Sequence, residues 1–220
     1  MKKGFTLAEV LITLGIIGIV AAMTIPTLLQ KNYERQTVVK LRQTQSILTQ
    51  AIRMTEEEYG DIENWGIKTK DVNSIKKAAD NLKHFLKIAI DCGTNDVKGH
   101  CVPANGYRTF AGGIDSVSKG YRTSPYYYKM SLLNGTSIWF VAPDPKTYGA
   151  ILWFYVDTNG KSLPNTIGKD LFLFSYYNKS LYPEGGPNSP YVRECSMNIS
   201  WGCAYYVLHN NNMNYLRKIK

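Results

Sequence analysis

A chain of 220 residues can bury one substantial core and carry a small subdomain, but not two full domains. Its hydrophobic content of 44% and charged content of 20% exclude global disorder. The net charge of +9 leaves DNA or lipid headgroups open as partners, but Lys31, Arg35, Lys40, Arg42, Arg53, Lys68, Lys70, Lys76 and Lys77 are scattered rather than run together, the pattern of a solvated basic surface.

The first predicted element is the most informative. Met1-Lys2-Lys3-Gly4 is followed by Phe5-Thr6-Leu7-Ala8-Glu9, and then by twenty uncharged residues from Val10 to Leu29. As a helix that run would rise about 30 Å, the thickness of a bilayer's hydrocarbon core. Lys2 and Lys3 would hold the amino end in the cytoplasm and leave the bulk of the chain outside. An ordinary secretory signal, cleaved after Val20-Ala21-Ala22, is the competing interpretation. Two features oppose it: the apolar run continues to Leu29, and a carboxylate, Glu9, sits at its start, where it is costly without a partner or a purpose.

Gly4-Phe5-Thr6-Leu7-Ala8-Glu9 and the apolar run behind it resemble the class III leader of type IV pilins and type II secretion pseudopilins. The resemblance implies cleavage after Gly4 by a prepilin peptidase and methylation of the new amino terminus at Phe5. It also implies an assembly role for Glu9, whose carboxylate would neutralise the terminal ammonium of a neighbouring subunit in an apolar filament core. Pro26 matches a position where members of the family often carry a helix-distorting proline. Gly15 and Gly18 read as ordinary membrane-helix residues or as sites of close helix approach.

Beyond Leu29 the chain turns polar with no breaker until Gly60. Val38, Leu41, Leu48, Ile52 and Tyr59 fall on a three-four spacing, with Gln45 and Thr55 in the missing steps, which predicts an amphipathic helix resting on the head. The expected organisation is a leader at 1–4, an apolar helix at 5–29, an amphipathic neck at 30–60 and a globular head at 61–220. The fold class is α+β, a long helix packed on an antiparallel sheet.

Within the head, Asn73 to Ile90 has helical spacing, with Ile75, Ala78, Ala79, Leu82, Leu86 and Ile90 apolar. Asp91 to Ser124 reads as loop with short strands. Strands are predicted at Ile138–Val141, Ile151–Val156 and Leu171–Tyr176, and a fourth at Ala204–Leu208. The cysteines form two local pairs, Cys92 with Cys101 and Cys195 with Cys203. Their spacing is not that of a zinc knuckle, although His100 and His209 lie nearby, so two short-loop disulfides in an exported head are expected.

Asp157-Thr158-Asn159-Gly160, then Pro164-Asn165, Gly168 and Asp170-Leu171-Phe172, resembles a second hallmark of pseudopilins and minor pilins, some of which bind calcium near this part of the chain. Asp157, Asn159, Asn165 and Asp170 offer the hard oxygens that calcium requires; Asx-stabilised turns explain the same residues without an ion. No nucleophile elbow, P-loop, zinc-protease motif or dinucleotide fingerprint is present. The expectation is therefore a structural subunit of a secretion or pilus filament. Its partners would be other such subunits, the prepilin peptidase, the inner-membrane assembly machinery and, before assembly, the membrane. The competing expectation is a display module whose Pro125-Tyr126-Tyr127-Tyr128 stretch, together with the basic balance of the chain, recognises DNA or glycans.

Overall fold

The computed structural model describes residues 6–190, 194–196 and 200–218. The chain divides into two compact units, Met1–Gln36 and Thr37–Lys220. Helix α1, Leu7–Tyr59, contributes residues to both and runs through Pro26. In the first unit the aliphatic side chains from Leu7 to Leu29 point outward on every side and are exposed. That is the pattern of a helix whose solvent is lipid or other apolar helices.

In the second unit α1 becomes amphipathic. Val38, Leu41, Leu48, Ala51 and Ile52 are buried, and Thr37, Thr44 and Thr55 fill the remaining steps of the stripe. Tyr59, the last predicted stripe residue, is exposed, because the helix ends there and the chain turns away at Gly60, whose φ is +78°. Helix α2, Val72–Lys83, is capped by Asp71, whose side chain accepts the Asn73 N–H at 3.0 Å.

Among the described residues six strands form one antiparallel sheet in the order β1 to β6. They are β1 (Ile88–Gly93), β2 (Tyr128–Leu132), β3 (Ser137–Val141), β4 (Leu152–Asp157), β5 (Leu171–Tyr177) and β6 (Ser180–Pro183). A one-turn helix α3, Pro145–Tyr148, links β3 to β4, and helices α4, Cys203–Asn210, and α5, Tyr215–Lys218, follow the sheet.

Strand residues alternate between two cores, as a period of two requires. Ile138, Phe140, Phe154, Val156, Phe172 and Phe174 join the stripe of α1 and the buried face of α2. Trp139, Val141, Tyr155, Leu171 and Leu173 face the opposite way, beneath Cys101, Val102, Tyr107 and Tyr121 of the long β1–β2 connection. Because both faces are covered, the strands read in sequence as continuous apolar runs.

Two expectations are corrected. The helix predicted to reach Ile90 stops at Lys83, and Ile88 to Gly93 pairs with β2 instead. No breaker in the sequence marks that boundary; the pairing decides it. The strand predicted at Ala204–Leu208 is helix α4. Tyr205, Tyr206 and Val207 favour strands intrinsically, but Cys203, Ala204 and Val207 bury together on one helical face, and Asn211 ends the helix in a left-handed conformation. Strands β1, β2 and β6 were not anticipated.

The seam between α1 and the sheet gives a direct test. Replacing Leu48, which is fully buried, with alanine should cost about 3 kcal/mol in urea denaturation. Val39→Ala, on the exposed side of the same helix, should cost less than about 0.5 kcal/mol. Equal effects would show that α1 does not pack on the sheet through this face.

Candidate functional site

The cleavage and methylation residues, Gly4 and Phe5, lie outside the described residues. Immediately after them, Thr6 and Glu9 close a reciprocal capping box at the start of α1. The Thr6 N–H and hydroxyl both donate to Glu9 Oε2 at 2.8 Å, and the Glu9 N–H donates to Thr6 Oγ1 at 3.3 Å. Oε1 has no partner among the described residues, so the carboxylate that caps its own helix keeps a second acceptor. The T-x-x-E spacing is the signal by which this cap could have been found in the sequence. In the apolar segment Thr13 and Thr24 turn their hydroxyls back onto helix carbonyls, at 2.9 Å to Glu9 O and Val20 O respectively.

The second sequence-marked constellation lies in the connection between β4 and β5, and the structure brings its four residues together in one turn. Asp157 ends β4 and is fully buried; its Oδ2 accepts the Tyr107 hydroxyl and its Oδ1 accepts the Asn159 N–H at 3.2 Å. Asp170 precedes β5 and accepts the N–H groups of Asn165 and Thr166, each at 2.6 Å. Asn159 Nδ2 donates to Leu163 O at 3.1 Å, and Asn165 Nδ2 to Lys161 O at 3.4 Å. The residues therefore lock a compact loop through its own backbone.

That arrangement does not fit a calcium cage. Calcium takes six to eight oxygens, whereas the oxygens of both carboxylates already face N–H and O–H donors, whose positive ends occupy the side a cation would approach. The two asparagine Oδ1 atoms are buried and unpartnered, which is the strongest observation in favour of an ion, but they are two oxygens. Adding millimolar calcium, or chelating it with EDTA, should leave the thermal unfolding midpoint of the protein unchanged. A rise of several degrees with calcium would restore the metal reading.

Burial, and then the neighbouring charge of Asp170, push the Asp157 carboxyl well above the usual range, and burial pushes Asp170 up to about 6 despite its N–H donors. An acid whose folded pKa exceeds its unfolded value holds extra protons in the native state, so its contribution is present in acid and is lost as pH rises through the folded pKa. For Asp170 that window runs from 3.8 to about 6. Resistance to urea should therefore fall as pH is raised from about 4 to about 7, and Asp157→Asn, which removes an acid raised mainly by burial, should flatten the profile. A profile identical to wild type in that variant would show that Asp157 is not raised by its burial.

Cys92 is bonded to Cys101 and Cys195 to Cys203. Cys92, Asp96 and Cys101 lie close together, but with both sulfurs in a disulfide no thiolate is offered to a metal. Asp96 instead accepts the N–H groups of His100, Cys101 and Val102, each at 2.9 Å. His209 stacks on Tyr205. The tyrosine run of the display-module reading is largely packing: Tyr128 is buried against Phe140, and Tyr126 and Tyr127 pack against the second core.

Sequence reasoning missed two buried partners. Tyr107 carries no local pattern that would tie it to Asp157. Lys129 is buried with Nζ donating to Thr94 O and Ser124 O at 2.7 Å, and burial lowers its pKa to about 8. It pins the long β1–β2 connection to the sheet.

Comparison with protein families matches residues 1–25 to the Prokaryotic N-terminal methylation motif, the signature of type IV pilins and pseudopilins. Comparison with curated proteins finds no match, and comparison with solved structures finds none.

Proposed function

We propose that the chain is a filament subunit, a pseudopilin or a minor pilin, cut after Gly4, methylated at Phe5 and assembled through residues 5 to 60. The observation that supports this most is the joining of two features in one short segment: a processing and methylation motif over residues 1–25, and a helix that leaves its aliphatic side chains exposed on every side from Leu7 to Leu29. In water such a surface is unfavourable by roughly 25 cal/mol per Å². A bilayer covers it before assembly, and the same helices of neighbouring subunits cover it afterwards.

Glu9 gives that assembly its register. A single carboxylate among apolar helices is costly to bury unless it meets a cation, and cleavage creates one, the amine of Phe5, on every subunit. Oε1 of Glu9 is the acceptor for a neighbour's amine, while Oε2 stays on Thr6. The leader and apolar helix favour a bacterial inner-membrane anchor with an exported head, and the two disulfides suit an oxidising compartment. The packing of Tyr126, Tyr127 and Tyr128 weighs against a dedicated DNA or glycan module, which keeps the basic balance of the chain in its favour.

Intact mass and amino-terminal sequencing of the protein from native membranes should give a methylated chain beginning at Phe5. A chain beginning at Met23 would identify an ordinary secreted protein. Glu9→Ala should lower incorporation into sheared filaments at least tenfold while the head keeps its unfolding midpoint; normal incorporation would remove the register role.

A further inference from the structure

We infer that the heads stack end to end, with the acidic tip of α1 on one copy seated in a basic groove at the opposite end of the sheet of the next. The inference rests on the filament reading above and adds the contact between heads.

The two ends of the sheet are fixed by the strand register. Ser137, Asp157 and Leu171 lie in one row at the near end, where Thr136 meets Thr44 of α1 through their hydroxyls at 3.2 Å. At the far end Tyr176 of β5 bonds Glu56 of α1, and Lys179 pairs with Asp61 at 2.7 Å. From Thr44 to Glu56 the helix rises about 18 Å, and β5 covers about 20 Å, so the two elements run the same span.

At the far end, residues 56 to 63 hold Glu56, Glu57, Glu58, Asp61 and Glu63 and no basic residue. Glu56 is engaged by Tyr176 and the Ile62 N–H, and Asp61 by Lys179. Glu57 has no partner among the described residues, and Glu58 meets only the neighbouring Tyr59. Three glutamates close a helix whose last turn carries no base, the end at which the dipole disfavours negative charge. An external cation relieves that arrangement. Met54 and Tyr59, both partly exposed, give the tip an apolar component.

At the near end, a groove of about 430 Å³ is lined by Arg108, Lys119, Ile114, Leu163 and Asn165 among others. The Lys119 ammonium has no partner among the described residues, and among them the Arg108 guanidinium donates only to Gly112 O, at 3.2 Å. Leu163 is 81% exposed and Ile114 44%, an unusual pair of aliphatic side chains to leave beside two cations. The nearby half-buried acid, Asp115, is turned onto the Ser118 N–H at 2.8 Å. Cations with aliphatic neighbours at one end therefore match carboxylates with Met54 and Tyr59 at the other. Because the two surfaces lie at opposite ends of the same head, each contact leaves a free end on both copies, and the association propagates into an open polymer rather than closing as a dimer.

The test uses the full chain in cells that assemble it. Arg108→Glu with Lys119→Glu, and separately Glu57→Lys with Glu58→Lys, should each reduce sheared filaments at least tenfold, with the unfolding midpoint of each purified variant reporting that the head is intact. Cells that express both charge-reversed chains together should recover at least half the wild-type yield. Co-expressed Glu58→Cys and Lys119→Cys chains should form a disulfide-linked dimer that neither chain forms alone. Wild-type filament yield from the reversed chains, or filaments without the cross-link, would overturn the contact and leave the filament reading in place. Wild-type cells with neither filaments nor Phe5 methylation would overturn both.

Discussion

The head depends on one seam. Leu41, Leu48 and Ile52 of α1 enter the same core as Met130, Ile138, Phe140, Phe154, Val156, Phe172 and Phe174 of the central strands. An antiparallel sheet of this kind needs a second layer over its apolar face, and α1 together with α2 supplies it. The helix thereby serves two solvents: on one stretch it is aliphatic all round, and on the next it shows a stripe about as wide as a helix–sheet contact requires.

The second core has a different chemistry. On the back of the sheet Trp139 lies parallel to Tyr155 at 5.6 Å, with Tyr107 and Tyr121 against the tryptophan, beneath a long connection that contains little regular structure. Such a segment must satisfy its own backbone. Asp96 does this for three consecutive N–H groups, Lys129 for two carbonyls, and the disulfide Cys92–Cys101 ties the loop to β1. Asp96 and Lys129 are thus turned toward backbone dipoles, where they order a loop that apolar packing alone would leave loose.

The Asp157–Asp170 loop follows the same logic. Residues that in isolation suggest an ion cage close a turn, with Tyr107 joining the two halves of the back layer. The Glu9 carboxylate at the other end of the chain is arranged differently. One oxygen caps the helix and the other has no partner among the described residues.

The sequence by itself determined the features that depend on short-range pattern. The leader motif, the uncharged run to Leu29, the stripe of Val38, Leu41, Leu48 and Ile52, the strands around Trp139, Tyr155 and Leu173 and the two local cysteine pairs are all visible as spacing. The tertiary structure decided what depends on distant partners. Leu86 and Ile90 continue a helical pattern, yet strand pairing with β2 captures Ile90; Tyr205 to Val207 have strand propensities, yet they pack as a helix against the sheet. Tyr107 and Asp157 are fifty residues apart and meet only because the long connection folds back across the sheet. Local periodicity records which side of an element is buried, but not what buries it, and at these positions the partner determined the outcome.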